Sequence, residues 1–246
     1  MISKIKNFNG ISIVIPVFNE GKNIINLIDE IEKVMKNIIA FEILVVDDGS
    51  TDNTYKQILK KMKIFKGVKI LKHNKNYGQS ISLRTGIVQA KHNYIVTLDG
   101  DGQNNPKDIT KIIEIYNNKK PFLLVIGNRV KRNDTKMRRM ASRAAYVIRK
   151  VILKDNTPDT GCAIKMFRKK DFLLLPFFNH IHRFLPILFK AYGGEVISIP
   201  VDHRNRMSGI SKYSNLQRAT VGIYDLFGVL WLRKRSLMPS LYKNKK

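Results

Sequence analysis

Apolar positions along this chain fall into short unbroken runs that alternate with stretches of helical period. Ile11-Ser12-Ile13-Val14-Ile15-Pro16-Val17 reads as a strand buried on both faces and runs into the loop Phe18-Asn19-Glu20. From about Asn23 to Met35 the apolar residues recur every three or four positions, which predicts a helix. A second strand, Glu42 to Val46, ends in Asp47-Asp48-Gly49-Ser50-Thr51-Asp52. There Ser50 or Thr51 is placed to cap a helix carrying Tyr55, Ile58, Leu59 and Met62. Further strands are predicted at Val68–Leu71, Tyr94–Leu98 and Phe122–Ile126, with helices at about Gln79–Ala90 and Lys107–Tyr116. Strand and helix alternate throughout, so the fold class is α/β, with a mostly parallel central sheet and helices on both faces. Such sheets bind ligands at the carboxyl ends of their strands, where the loops after Val17, Val46 and Leu98 all fall.

The loop after Leu98 carries the strongest chemical signal. Asp99 and Asp101 are one residue apart and point to the same side of an extended segment. Gly100 and Gly102 leave the backbone open to a phosphate, and Gln103 adds a neutral oxygen ligand. Oxygen donors of this kind select Mg²⁺ or Mn²⁺ shared with substrate phosphates. A bare Asp-x-Asp is also common in turns for purely conformational reasons.

Taken with its neighbours, the loop belongs to a larger set: Ile15-Pro16-Val17-Phe18-Asn19-Glu20, Val46-Asp47-Asp48-Gly49-Ser50-Thr51-Asp52, Asn76-Tyr77-Gly78-Gln79, Asp99 to Pro106, Gly127-Asn128-Arg129, Asp159-Thr160-Gly161-Cys162 and Arg206 to Lys212. In order and spacing this set resembles glycosyltransferase family 2, and within it the dolichol- and polyprenyl-phosphate sugar synthases, from Ile11 to about Lys212. The resemblance implies a nucleotide-binding fold of the glycosyltransferase A type, a nucleotide sugar (GDP- or UDP-linked) as donor, a polyprenyl phosphate as acceptor, and inversion at the transferred carbon. It also implies roles. Pro16, Val17, Phe18 and Glu20 line the base and ribose pocket, with Phe18 where the family often has Tyr, and Val46 and Asp48 complete it. Asp99, with Gly100, contacts the nucleotide sugar, and Asp101 and Gln103 hold the metal. Arg129, Arg206 and Lys212 are the phosphate-binding cations, while Asp159 and Arg183 lie on the acceptor side.

Each of these has a plainer alternative. Asp47 and Asp48 suit a turn, and Asp52 and Glu20 suit helix starts. Arg129 alone reads as a surface charge. Arg206 and Lys212 sit in a Gly- and Ser-containing loop that reads equally as a solvated connection or as a basic lid over phosphates. His180 and His182 lack accompanying Cys or carboxylates and are expected to be structural, and His203 is left undecided between substrate contact and packing.

Charge then narrows the partners. The 246 residues carry a formal charge of +26, unevenly placed: residues 1–128 hold 19 basic and 12 acidic side chains, residues 129–246 hold 26 and 7. Nucleic acid is disfavoured, because the basic segment Arg129–Lys154 has Tyr146 as its sole aromatic and no nucleic-acid motif occurs. A membrane surface fits better. Met137–Leu153 can place Met140, Ala144, Val147, Ile148 and Val151 on one stripe beside arginines, and Leu216–Leu232 repeats the theme before Arg233-Lys234-Arg235. Asp225 and Arg218 interrupt the second segment, which is too short to span. The expected layout is a catalytic domain over 1–212, an interfacial helix over 213–235 and a disordered basic tail over 236–246. The single Cys162 suits a reducing compartment, and Met1–Asn9 is too polar for a secretory signal. The expected place is therefore the cytoplasmic face of a membrane, held peripherally or through a membrane-protein partner.

An acceptor phosphate is already ionised near neutral pH and needs no general base, whereas a soluble or polysaccharide acceptor needs one, for which Asp159 is the first suspect. A third alternative is a non-enzymatic basic adaptor that adheres to membranes. Nothing in the motifs identifies the sugar.

Overall fold

The computed structural model describes residues 9–130, 146–204 and 215–235. The first half alternates as predicted: β1 (Ile11–Val17), α1 (Ile24–Met35), β2 (Phe41–Asp47), α2 (Thr54–Ile64), β3 (Val68–Lys72), α3 (Gln79–Gln89), β4 (Tyr94–Thr97), α4 (Lys107–Ile115) and β5 (Leu123–Arg129). There follow a helical stretch α5 (146–153), β6 (Lys165–Arg168), α6 (Lys169–Leu173), a 3₁₀ turn at Ile181–Arg183, α7 (Leu185–Ala191), β7 (Glu195–Val201) and α8 (Asn215–Arg235). Residues 131–145, 205–214 and 236–246 lie outside the described residues. With them go Arg206, Lys212, the basic tail and the first half of the expected helix at Met137–Leu153.

The strands form one mixed sheet in the order β3-β2-β1-β4-β6-β5-β7, parallel except for β6, which runs antiparallel to both β4 and β5. Strand order reverses between β1 and β4, so a crevice opens above their carboxyl ends. β1 and β2 owe their central place to continuous apolar runs: Ile13, Val14, Ile15, Ile43, Val45 and Val46 are fully buried. One core joins the sheet to α1, α2 and α4 through Ile28, Ile31, Ile58, Ile109 and Ile112. The opposite face is covered by α3, α5, α6, α7 and α8, with Leu83, Leu153, Phe172, Phe189, Leu226 and Val229 in its core. A close fit against α3 requires Gly86, where a Cβ atom would stand 2.5 Å from Val14 Cγ1.

Two expectations need revision. The predicted cap of α2 fails: the helix starts at Thr54, and Ser50 and Thr51 instead bond across to Asn19. β6 and β7 were not expected, because β6 is four residues long with Lys165 and Arg168 at its ends, and β7 carries Pro200, which suits an edge strand. Among the described residues no helix is long and apolar enough to cross a membrane.

Candidate active site

Most of the candidate site residues lie at or just after the carboxyl ends of the parallel strands. After β1 the chain turns through Asn19 in a left-handed conformation (φ 55°). Its amide N–H donates to Ser50 Oγ (2.9 Å), its Oδ1 accepts from the Thr51 N–H (2.8 Å), and the Glu20 N–H donates to Thr54 Oγ1 (3.0 Å). These bonds lock the Phe18–Glu20 loop to the loop after β2. Pro16 and Phe18 are half-buried on this edge. Val17 and Val46, expected to line the same pocket, are buried. Glu20 is buried and accepts from Asn23 Nδ2 (2.7 Å).

Asp48 is buried at the end of β2 and is heavily engaged. It accepts from the Tyr77 N–H (2.9 Å) and the Gly78 N–H (2.7 Å), and its Oδ1 lies 2.7 Å from His73 Nδ1. His73 Nε2 in turn meets Thr85 Oγ1 at 3.0 Å. Asp48 therefore fixes the turn that starts α3, whose first residue, Gln79, donates from Nε2 to Asp99 Oδ1 (2.7 Å).

Asp99 follows β4, with its N–H held by Asn104 Oδ1 (3.1 Å). Burial and the neighbouring Asp101 push the Asp99 carboxyl up to about 6, against the opposing pull of Lys165 and Arg129. Gly100 packs so closely on β1 that a Cβ would stand 2.4 Å from Val17 Cγ1, and Gly102 has φ +74°, a left-handed turn suited to glycine. This turn lets Asp101 Oδ1 accept from the Gln103 N–H (3.1 Å). The donors Asp101 and Gln103 suit a hard divalent cation. Among the described residues no group of three or more His, Cys, Asp and Glu side chains is placed to hold a metal.

On the other side of the crevice, Arg129 at the end of β5 is clamped by Asp159. Its Nε donates to Oδ2 at 2.7 Å, its Nη2 to Oδ1 at 2.8 Å, and its N–H to Oδ2 at 3.3 Å. Burial works against the guanidinium charge, but the Asp159 pair outweighs it and the net shift is upward. Arg183 lies on the 3₁₀ turn, which is joined to α3 through His182. That histidine is buried, with Nδ1 2.7 Å from Ser80 Oγ, and burial drives its pKa well below the usual range. It is therefore neutral and structural. His180 Nδ1 pairs with Asp225 Oδ2 of α8 at 2.9 Å. Arg206 and Lys212 lie outside the described residues.

Three further residues lie near the site: Gln79, which the sequence carries in the motif Asn76 to Gln79, His203, whose role the sequence leaves open, and Lys165, which no motif contains. Gln79 orients Asp99. Lys165 lies opposite Thr97 in the β4–β6 register, on the side of the sheet that Asp99 shares two residues on. It is 3% exposed and donates to the Cys162 carbonyl, and burial lowers its pKa. His203, left undecided above, follows β7, and the Asn104–His203 bridge brings its Nε2 to 3.4 Å from Gln103 Nε2. The signal that could have found Lys165 is a lone charge inside the apolar run Ala163–Phe167.

The family model described as "Glycosyl transferase family 2" matches residues 12–174, which carry all the strand-end loops from Phe18 to Asp159. The chain belongs to glycosyl transferase family 2. This family 2 glycosyltransferase is 28% identical over 233 residues to the dodecaprenyl-phosphate galacturonate synthase of Rhizobium johnstonii, covering 93% of this chain and 69% of the relative. It is 30% identical over 231 residues to the undecaprenyl-phosphate 4-deoxy-4-formamido-L-arabinose transferase of Proteus mirabilis, covering 93% and 70%. Its fold is that of glucosyl-3-phosphoglycerate synthase from Mycobacterium tuberculosis, solved with Mn²⁺, UDP and phosphoglyceric acid. That match has a TM-score of 0.70 at 15% identity and covers 97% of this chain and 82% of the other. A Pyrobaculum calidifontis mannosyltransferase solved with GDP-Man and Mn²⁺ matches with a TM-score of 0.65 at 15% identity, covering 93% and 65%. The glycosyltransferase A-type fold is thus the one the sheet order describes.

Proposed function

We propose that this glycosyltransferase moves a sugar, with inversion, from a nucleotide sugar to a polyprenyl phosphate at the cytoplasmic face of a membrane. The observation that carries the reading is the state of Asp159. Both its oxygens are committed to Arg129, so the first candidate for a general base is unavailable, and an acceptor that arrives already ionised removes the need for one. The polyprenyl-phosphate transferases that the chain resembles at about 30% identity support the same acceptor class.

In this reading the nucleoside sits over Pro16, Phe18 and Glu20, and Asp48 holds the floor of the pocket by fixing Tyr77 and Gly78. Asp99, oriented by Gln79, contacts the donor sugar. Asp101 and Gln103, with His203 beside them, fit Mg²⁺ or Mn²⁺, which when bound would neutralise charge on the leaving diphosphate. Arg129, held rigidly by Asp159, turns the rest of its guanidinium edge toward phosphate, with Arg183 and, outside the described residues, Arg206 and Lys212 as further cations. The chain's own contribution is to bring two anionic reactants into line.

The membrane part rests on a patch of solvent-facing apolar side chains. Ile223, Tyr224, Phe227 and Trp231 of α8 are 55–81% exposed, and Val147, Ile148 and Val151 of α5 are 48–72% exposed. Arg233 bonds the Leu153 carbonyl and so joins the two helices, and the basic cluster Arg233-Lys234-Arg235 follows. An anionic lipid surface complements an apolar patch with a cationic collar on a chain of charge +26.

The test is to incubate the protein with undecaprenyl or dolichyl phosphate, Mg²⁺ or Mn²⁺ and a panel of GDP- and UDP-sugars. A labelled lipid phosphate sugar is expected with one donor. Labelling of a soluble glycan alone would move the reading to a polysaccharide acceptor, and no product with any pair would favour a non-enzymatic adaptor.

A further inference from the structure

Between the exposed Val147, Ile148 and Val151 of α5, one side chain turns inward. Arg149 has 17% of its side chain exposed and donates from Nη1 to Thr160 Oγ1 (2.7 Å) and from Nη2 to the Thr157 carbonyl (3.1 Å). Its Nε stands 3.5 Å from Asp155 Oδ2. Asp155 is 1% exposed and is held from two further sides, by the Thr157 N–H (3.0 Å) and by Lys190 Nζ of α7 (3.6 Å). The guanidinium therefore spans the connection 155–160 from end to end. Thr160 is itself buried and directly follows Asp159, whose carboxylate fixes Arg129 at the end of β5. One side chain, one peptide bond and one ion pair separate the apolar helix surface from the cation in the crevice. A planar fork held by two hydrogen bonds and an ion pair follows its helix more rigidly than a flexible single contact.

We propose that Arg149 is a positioning residue that couples lipid contact at α5 to the placement of the Asp159–Arg129 pair, so that the enzyme becomes fully competent when docked on a bilayer. This rests on the lipid-acceptor reading above. Seating α5 on lipid sets Arg149, Arg149 sets Thr160, and Thr160 sets the neighbouring carboxylate that aims Arg129.

The experiment uses the full chain and a water-soluble, short-chain polyprenyl phosphate as acceptor, with and without acceptor-free vesicles containing phosphatidylglycerol. For the wild type, vesicles are expected to lower the acceptor KM by about fivefold or more, the low end of ordinary coupling between sites. Arg149→Lys and Thr160→Val should each remove that stimulation, while flotation on the same vesicles, nucleoside diphosphate affinity and the melting temperature stay near wild type. If Arg149→Lys does not fold, Thr160→Val, which keeps the guanidinium and removes only its partner, carries the test. Equal stimulation in wild type and variants would reduce Arg149 to a structural brace and overturn the proposal. So would the absence of stimulation in a wild type that floats and makes lipid product. Failure to float, with no product from any lipid phosphate, would instead overturn the lipid-acceptor reading and take this inference with it.

Discussion

Replacing Asp159 with alanine leaves Arg129 as a cation without its counter-ion in a site where 15% of its side chain is exposed, against 6% for Asp159. Three hydrogen bonds to the carboxylate disappear together, two from the guanidinium at 2.7 and 2.8 Å and one from the backbone N–H at 3.3 Å. Breaking one side of a buried pair costs about 3–5 kcal/mol, and the residual exposure of Arg129 places the loss near about 3 kcal/mol. For a chain of this size each kcal/mol moves the melting temperature by about 2–4 °C, so Asp159→Ala should melt about 6–12 °C early. Arg129→Met should cost a similar amount, because it strands the carboxylate. The double variant Arg129→Met/Asp159→Leu should lose less than either single change, which corresponds to a coupling energy above about 3 kcal/mol in a double-mutant cycle. Urea titrations followed by circular dichroism measure all four proteins, and transfer assays on the same samples should find all three variants inactive. If each single change costs less than about 1 kcal/mol and the two add, the pair is an ordinary surface bridge. Asp159 would then be free to act as a base, and a hydroxyl acceptor would return to consideration.

Asp101→Asn should abolish the part of nucleoside diphosphate binding that EDTA removes, with little change in melting temperature; calorimetric titration with and without chelator reads the first and a thermal scan the second. Asp99→Asn should raise the melting temperature of the metal-free protein at pH 7.5 and lose transfer. The folded state holds the Asp99 proton up to about pH 6, above the unfolded value, so ionisation makes the wild type less stable as pH rises through that window. The advantage of the variant should fade toward pH 4, which thermal scans across pH would check. Gln79→Leu removes a donor to a charged acceptor worth about 1.5–3 kcal/mol, so transfer should fall about 10- to 100-fold with the fold intact. Phe227→Glu with Trp231→Glu should prevent flotation on anionic vesicles while nucleotide binding persists, since both side chains face solvent.

Much of this architecture is visible in residue order because parallel strands buried on both faces are written as unbroken apolar runs. Ile11–Val17 and Phe41–Asp47 announce themselves, and with them the loops that follow. Asp99 and Asp101 stand out for the same reason: they directly follow such a run, at the strand ends where parallel sheets take ligands. What stayed hidden depends on distant pairing. His203 reaches Gln103 only because β7 runs parallel to β5 at the edge of the sheet, and Gln79 reaches Asp99 only because Asp48 sets the turn before α3. The capping error has the same origin. Ser50 and Thr51 are good caps locally, but Asn19, thirty residues earlier, competes for the same groups and wins by bonding to both. Arg206 and Lys212, which the family resemblance places among the phosphate cations, remain a matter for mutagenesis.

The antiparallel strand β6 has a consequence for how the chain is made. β4 is covered by β1 on one side, but its other edge is satisfied only by Lys165–Arg168, which emerge from the ribosome long after Tyr94–Thr97. Until then the nascent protein carries a nucleotide-binding half whose last strand presents unpaired backbone amides and carbonyls, a template for pairing with another chain. β5 is synthesised first yet must leave a gap one strand wide, because β6 sits between it and β4. Closing that gap is a late, non-local event of the kind that slows folding. A fragment cut between Arg129 and Lys165 should therefore aggregate even though it contains the loops after β1, β2 and β4 and Arg129, and the smallest soluble piece of this enzyme that keeps them should extend at least to Arg168.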